Sequence, residues 1–184
     1  SIRTLGGAAF KNCAALKYIN MPDSIRTLGE RMFLNCYSLV SIRVPKNVVD
    51  IDDYAFNNCS ALDTVILSEE LKTIGRNAFD GCSALSFIEI PSNVIAIGAD
   101  AFEGCYMLNK VLWNAKSYTG KYPFGNRNLK VKSFIFGENV EHISSFFCNN
   151  MSNLTSILWN AKSYKGIPPL ERVHNQVEFR SETN

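Results

Sequence analysis

The sequence has no long hydrophobic run and no excess of charge of one sign. No stretch approaches the ~18 consecutive apolar residues that a membrane-spanning helix needs, so we expect no membrane insertion by this segment. The 19 Lys and Arg residues nearly balance the 17 Asp and Glu residues, and the net charge of +2 is scattered. Because scattered charge provides no electrostatic footprint for nucleic acid, we expect no nucleic-acid partner.

The first residues also lack the charged region, apolar region and cleavage site of a signal peptide. Residues 1–6 instead correspond to the middle of the repeat described below. Such a start indicates either a leader that was removed or a fragment of a longer array, and we favour the fragment.

Histidine and clustered cysteine are scarce as well. His142 and His174 are the two histidines, and the six cysteines include no Cys-x-x-Cys pair. Zinc sites require Cys or His ligands at short spacings, so we expect no metal and no cofactor. A nucleophilic triad needs a histidine oriented by a carboxylate, whereas His142 occupies a variable repeat position and His174 lies in a polar tail. We therefore expect that the protein is not an enzyme.

A pair of Phe and Cys recurs every 23 residues through the first part of the chain. Five copies follow one another without insertion or deletion: Phe10/Cys13, Phe33/Cys36, Phe56/Cys59, Phe79/Cys82 and Phe102/Cys105. A period of 20–50 residues indicates a solenoid, in which each repeat is one coil that buries its apolar face against its neighbours. We expect the Phe residues to pack in the core and the Cys residues to be free, buried, structural thiols.

Each repeat predicts one helical turn and one short strand. A residue type suited to a helix N-cap precedes the Phe, and Asn or Gly suited to a left-handed helix end precedes the Cys, which leaves room for a short helix or 3₁₀ segment. After the Cys, two apolar residues in alternation predict a strand with one buried face. The pairs are Ile19/Met21, Ile42/Val44, Val65/Leu67, Ile88/Ile90, Val111/Trp113, Phe134/Phe136 and Ile157/Trp159.

The later repeats keep this phase but lose the Phe and Cys signature. Gly125 and Asn128 replace the pair in one copy, where Phe124 lies one place early and is a candidate to fill the gap. In the next copy Cys148 takes the Phe position and Met151 the Cys position. We expect a single domain over 1–184, with regular repeats at about 2–113, variant repeats at about 114–164 and a degenerate last coil or cap at 165–184.

A six-residue segment also returns at twice the period. Trp-Asn-Ala-Lys-Ser-Tyr occupies residues 113–118 and again residues 159–164. This recurrence predicts either the duplication of a two-coil unit or an aromatic and basic edge, formed by Tyr118, Tyr164, Lys116 and Lys162, that would bind a glycan or peptide.

The unit Leu-x-x-Ile-Gly-x-x-Ala-Phe-x-x-Cys-x-x-Leu-x-x-Ile-x-Ile-Pro, read from residues 71–91, resembles the BspA-like class of leucine-rich repeats. The resemblance covers residues 2 to about 160. It implies an α/β repeat fold, a right-handed leucine-rich-repeat solenoid with one parallel sheet of short strands and short helical turns on the opposite face. It also implies a non-catalytic protein-binding module of a bacterial cell-surface or secreted protein, whose partner would be an extracellular or host protein.

The outward-facing strand residues form the candidate binding surface. The residue between the two buried ones in each strand is Asn20, Arg43, Ile66, Glu89, Leu112, Ile135 or Leu158. With Phe87, which lies two positions before Glu89 on the same face, the apolar members provide the predicted site: Ile66, Phe87, Leu112, Ile135 and Leu158.

Two functions remain open for the stripe of Leu112, Ile135 and Leu158. It predicts either adhesion to an external partner by a monomeric module, or a structural spacer whose stripe packs against the rest of a longer parent chain. A severed array of the second kind should self-associate through its exposed ends or through the stripe.

Overall fold

Two series of short parallel strands build the chain into a solenoid. The computed structural model describes residues 5–118, 123–124, 130–143, 147–148 and 151–162, and the backbone of residues 178–180. The longer strands are β2 (Ser41–Arg43), β4 (Thr64–Ile66), β6 (Phe87–Ile90), β8 (Lys110–Trp113), β10 (Ser133–Phe136), β12 (Ser156–Trp159) and β13 (Glu178–Arg180). The shorter strands are β1 (Thr27–Leu28), β3 (Asp50–Ile51), β5 (Thr73–Ile74), β7 (Ala96–Ile97), β9 (Ser117–Tyr118) and β11 (His142–Ile143).

The longer strands run in parallel, and from β2 to β12 each is offset from the last by one 23-residue repeat. Strands β6, β8, β10 and β12 pair in this order, so that Val111 lies opposite Phe134 and Phe134 lies opposite Ile157. This confirms the predicted parallel sheet and its period, over about five turns. The first predicted strand, at Ile19 and Met21, is irregular in the structure. Strand β13 lies in the predicted degenerate last coil and pairs with β12.

The shorter strands form a second row of parallel pairs that the sequence analysis did not anticipate. Their second residue is the apolar residue before the proposed helix N-cap, and in β1, β3, β5 and β7 it is buried. Their first residues lie one above another, and the Thr73 hydroxyl donates a hydrogen bond of 2.6 Å to the Asp50 carboxylate. Each coil of this part of the chain therefore has parallel strands on two sides.

The helical turns predicted on the face opposite the sheet are wrong for the described residues, which contain no helix. In the Phe-containing segment, alternate backbone N–H groups donate to the next coil, as Phe33 does to the Ala55 carbonyl at 2.7 Å. The N–H groups between them donate three residues back, as Met32 does to the Gly29 carbonyl at 3.1 Å. A helix needs an uninterrupted series of bonds along its own chain, and the bonds between coils interrupt that series.

Left-handed residues explain why these segments form turns. The predicted Asn or Gly position before the Cys has a positive φ in five successive coils: Asn12, Asn35, Asn58, Gly81 and Gly104. A second column with positive φ lies four residues earlier: Ala8, Arg31, Tyr54, Asn77 and Asp100. Two left-handed residues so close together leave no room for a helical turn, because helical residues require negative φ.

The regular coils are filled by two columns of side chains, which we call the Phe ladder and the Cys ladder, as the 23-residue repeat predicted. The rings of Phe10, Phe33, Phe56, Phe79 and Phe102 stack with centroids 5.1–5.3 Å apart and planes within 9° of parallel. The thiols of Cys36, Cys59, Cys82 and Cys105 are free and buried, and each donates to the carbonyl of a Phe in the preceding coil at 3.1–3.3 Å. Burial raises the pKa of the Cys59 thiol to about 12. Both structural interpretations are confirmed, although Cys13 is exposed.

The variant coils are filled by aromatic residues at other positions. Phe124 stacks on Phe102 at 5.4 Å, which confirms that it fills the gap in the Phe ladder. In the next coil the aromatic core residue is Phe147, 23 residues after Phe124, although Cys148 beside it is also buried. The Phe147 ring meets Trp113 at 4.6 Å in an edge-on contact. The insertion of the large Trp113 ring replaces parallel stacking with edge-to-face packing.

Candidate binding face

The predicted site residues lie on the outer face of the longer strands. Ile66 and Phe87 are 51% and 41% exposed, whereas Leu112, Ile135 and Leu158 are half-buried. The residues on either side of them in the strands, such as Val65 and Ile88, are buried in the core. The period-two alternation therefore identified the correct face, but the three later residues are less open than a solvent-exposed stripe.

The strand register brings three of these residues, Leu112, Ile135 and Leu158, into one row. Glu89 lies opposite Leu112, Leu112 opposite Ile135, and Ile135 opposite Leu158. Ile66 lies opposite Arg43 in the pair of β2 and β4. Neighbouring parallel strands are about 4.8 Å apart, so the side chains of Leu112, Ile135 and Leu158 form a continuous apolar ladder.

The sheet is interrupted between β4 and β6. Strands β2 and β4 form one ladder and β6 begins another, and among the described residues no ladder of backbone hydrogen bonds joins Thr64–Ile66 to Phe87–Ile90. A cleft of about 300 Å³ opens there, between the two most exposed apolar residues of the predicted site, Ile66 and Phe87. Two members of the core, Val65 and Leu67, also line it.

Acidic residues surround this cleft. Asp63, Glu69 and Glu89 contribute to its lining and are exposed. The Glu89 carboxylate accepts a hydrogen bond of 2.9 Å from the Asn114 amide, which orients it along the sheet. No sequence pattern marks these carboxylates as site residues, because their proximity depends on the break in the sheet.

A second cleft lies on the other side of β4. Its volume is about 340 Å³, and it shares Ile66, Leu67 and Glu69 with the first cleft. Arg43 and Lys46 line it together with acidic residues. Its charges of both signs favour no particular ligand charge, in contrast to the first cleft.

The position of Tyr118 does not support the proposed aromatic and basic edge for a glycan or peptide. Tyr118 is 1% exposed, and its hydroxyl donates to the Ile97 carbonyl at 3.3 Å. A buried ring that packs edge-on against Trp113 at 5.2 Å cannot present a surface for a glycan. Lys116 forms an exposed ion pair with Glu141 at 3.1 Å. Tyr164 lies outside the described residues.

The histidines and the other potential metal ligands form no cluster in the part of the chain that the structure describes. His142 is exposed on the short strand β11, and His174 lies outside the described residues. Across the described ranges, no three His, Cys, Asp or Glu side chains converge as metal ligands would. Within these same ranges, no helix has the length and hydrophobicity to span a membrane.

Comparison with solved structures shows the fold. A leucine-rich repeat protein from T. pallidum is 24% identical, with a TM-score of 0.58 over 84% of this chain and 65% of its own. One from Bacteroides ovatus is 22% identical, with a TM-score of 0.51 over 98% of this chain and 61% of its own. The pneumococcal vaccine antigen PcpA is 21% identical, with a TM-score of 0.60 over 89% of this chain and 50% of its own. This chain thus spans about half to two thirds of the length of these proteins.

Comparison at the level of sequence families is equally direct. A search of curated proteins found no match. The family model of the BspA type leucine-rich repeat region, however, matches six copies over residues 1–109 and 50–167. These two ranges contain the Phe and Cys ladders, both rows of strands apart from β13, and the candidate binding face. The chain belongs to the BspA-type leucine-rich repeat family.

Proposed function

We propose that this chain is a non-catalytic protein-binding module of a bacterial cell-surface or secreted protein. Its sheet face would adhere to an extracellular or host protein. The observation that carries this proposal is the apolar content of one face of the longer strands, where Leu112, Ile135 and Leu158 lie in register and Ile66 and Phe87 are exposed beside them. Membership of the repeat family supports a role in protein interaction, and the fold shared with a pneumococcal vaccine antigen is consistent with a surface location.

The alternative function is a structural spacer within a longer array. The half-burial of Leu112, Ile135 and Leu158 is compatible with it, because partly covered apolar side chains suit an internal contact as well as an external one. The chain also spans only part of the solved proteins that share its fold. In this function the stripe would pack against the rest of the parent chain.

A binding screen against extracellular-matrix and plasma proteins distinguishes the two functions. The purified chain would be compared with a face variant, Ile66→Lys with Phe87→Lys, and with a row variant, Ile135→Lys. A matched control, Ile95→Lys with Met107→Lys, places the same charge at exposed apolar positions outside the longer strands. Circular dichroism would verify that each variant is folded, and light scattering would report the association state.

Adhesion predicts saturable binding by a monomer, weakened about tenfold or more in the face or row variant and retained in the control. Equal loss in the control would remove the sheet face as the site. If no protein binds, while the parent self-associates and Ile135→Lys abolishes that association, the spacer function replaces adhesion.

A further inference from the structure

The cleft between β4 and β6 is the part of the face with the most distinctive chemistry. Exposed apolar side chains, Ile66 and Phe87, stand at its two sides where the hydrogen-bonded sheet is interrupted. Its volume of about 300 Å³ lies at the lower end of the range for ligand pockets. A cleft of this size suits one side chain of a partner better than a larger ligand.

The charges that line the cleft are of one sign. It contains the carboxylates of Asp63, Glu69 and Glu89 and no Lys or Arg side chain. The ion pairs found among the described residues involve other carboxylates. These three groups also do not converge as the ligands of a metal ion would, in the part of the chain that the structure describes. The complementary ligand therefore has a positive charge and an apolar portion.

We propose that this cleft binds a lysine or arginine side chain from an extended segment of a partner protein. The long aliphatic part of such a side chain would lie against Ile66 and Phe87, and its charged end would meet the carboxylates. Lys110, which does not line the cleft, places its Nζ 6.0 Å from the centroid of the Phe87 ring, so this ring already has an ammonium group at the outer limit of cation–π distance within the chain itself. This inference rests on the proposed function, because it assigns the chemistry of the partner at the same face.

A peptide titration tests this inference without an identified partner. The probe is the pentapeptide Gly-Val-Arg-Val-Gly with blocked ends, added to the ¹⁵N-labelled chain and followed by NMR. The control peptide carries citrulline in place of arginine, which keeps the shape of the side chain and removes its charge. We expect saturable shifts of the amides of Thr64, Ile66, Phe87 and Glu89, with the citrulline peptide binding about fivefold more weakly.

Two variants with equal changes in charge test the role of the carboxylates. The cleft variant combines Asp63→Asn, Glu69→Gln and Glu89→Gln. The control variant combines Glu30→Gln, Glu138→Gln and Glu141→Gln, which removes three carboxylates that are ion-paired elsewhere on the surface. The cleft variant should bind both peptides equally weakly, whereas the control variant should keep the preference for arginine.

The outcomes separate this inference from the proposed function. Equal binding of the arginine and citrulline peptides, shifts outside the cleft, or no binding of either peptide would overturn the proposal of a basic side chain. If an extracellular protein binds the chain and its affinity is unchanged in the cleft variant, the result supports sheet-face adhesion and rejects the binding of a basic side chain in the cleft. If the peptides behave as expected but no protein binds, the result rejects adhesion and supports the binding of a basic side chain in the cleft.

Discussion

The regular coils and the variant coils fill one continuous core in two different ways. Between Phe10 and Phe102, identical residues stack in columns, and the Phe rings lie nearly parallel. Around Trp113 and Phe147, residues of different size interlock edge to face, with interplanar angles of 57–84° at Phe147. The comparison teaches that these two regions share a constant strand spacing of 23 residues and not a fixed set of core residues.

The two regions also differ in how far a change should spread. Each ladder residue contacts equivalent residues one coil away, so the stability of this region approximates a sum of nearest-neighbour terms. Phe147 instead contacts five rings from the two preceding repeats: Trp113, Tyr118, Phe124, Phe134 and Phe136. A defect in the variant region should therefore affect more of the molecule.

Replacing one Phe in each region should have the largest effect and tests this difference directly. Phe79→Ala removes two stacked ring contacts, and Phe147→Ala removes contacts with five rings. We expect each to lower the free energy of unfolding by about 3–5 kcal/mol, with Phe147→Ala at the upper end. Urea-induced unfolding measures both values.

The exposed Tyr37→Ala provides the control for these variants, with an expected change within about 0.5 kcal/mol. A loss for Phe147→Ala that is smaller than the loss for Phe79→Ala would contradict the idea that the variant region distributes its packing more widely.

The close approach of successive regular coils predicts an effect of intermediate size. A Cβ atom added at Gly98 would lie 2.4 Å from the Arg76 nitrogen and 2.7 Å from its Cα, so backbone atoms must move. Gly98→Ala should lower the free energy of unfolding by about 1–3 kcal/mol, as overpacking does in other cores. Gly6 occupies the equivalent position with no atom within 4 Å, and Gly6→Ala serves as the matched control. Equal losses in thermal unfolding would show that spacing between coils is not the constraint.

The Cys ladder predicts the smallest effect of a single substitution, visible as a dependence on pH. Burial raises the pKa of Cys59 to about 12 in the folded chain, whereas an unfolded thiol ionises near about 8.5. The folded state therefore retains this proton more strongly, so its stabilising contribution is complete below pH ~8.5 and is lost as the pH rises towards 12. One thiol contributes a slope of up to about 1.4 kcal/mol per pH unit.

Cys59→Ala should flatten the decline of stability between pH 9 and 11, measured by urea unfolding at each pH. Cys13→Ala, which changes an exposed thiol, is the matched control. The same slope in both variants would show that the buried thiols do not govern alkaline stability.

The backbone conformation was predictable at positions where successive repeats carry residue types that favour the same conformation. The Asn or Gly column before the Cys predicted left-handed residues, and Asn35 and Gly81 adopt them. The second left-handed column was not predictable, since Ala8, Arg31 and Tyr54 share no chemistry that favours positive φ. Without this second column, the sequence between the predicted N-cap and the Asn or Gly position is compatible with a helical turn. In the structure, hydrogen bonds between coils override the preference of these residues for negative φ.

The outward-facing positions of the longer strands were predictable from alternation, and the shape of the surface between strands was not. The pattern of buried and exposed residues in Thr64–Ile66 resembles that in Phe87–Ile90. The first of these strands nevertheless pairs with the preceding strand β2, and the second pairs with the following strand β8. A break in the sheet depends on how complete coils stack, and the sequence of one strand does not determine that stacking. The acidic cleft between Ile66 and Phe87 is therefore visible only in the structure.

The second left-handed column bears on how the chain folds. A side chain at positive φ is disfavoured by roughly 1–2 kcal/mol in an isolated segment, so a solitary coil would not hold Arg31 or Tyr54 in that conformation. The bonds from Arg31 to Asp53 and from Tyr54 to Arg76 in the following coil supply the compensation. Each coil thus acts as a template for its neighbour, and folding should spread along the array from whichever group of coils assembles first.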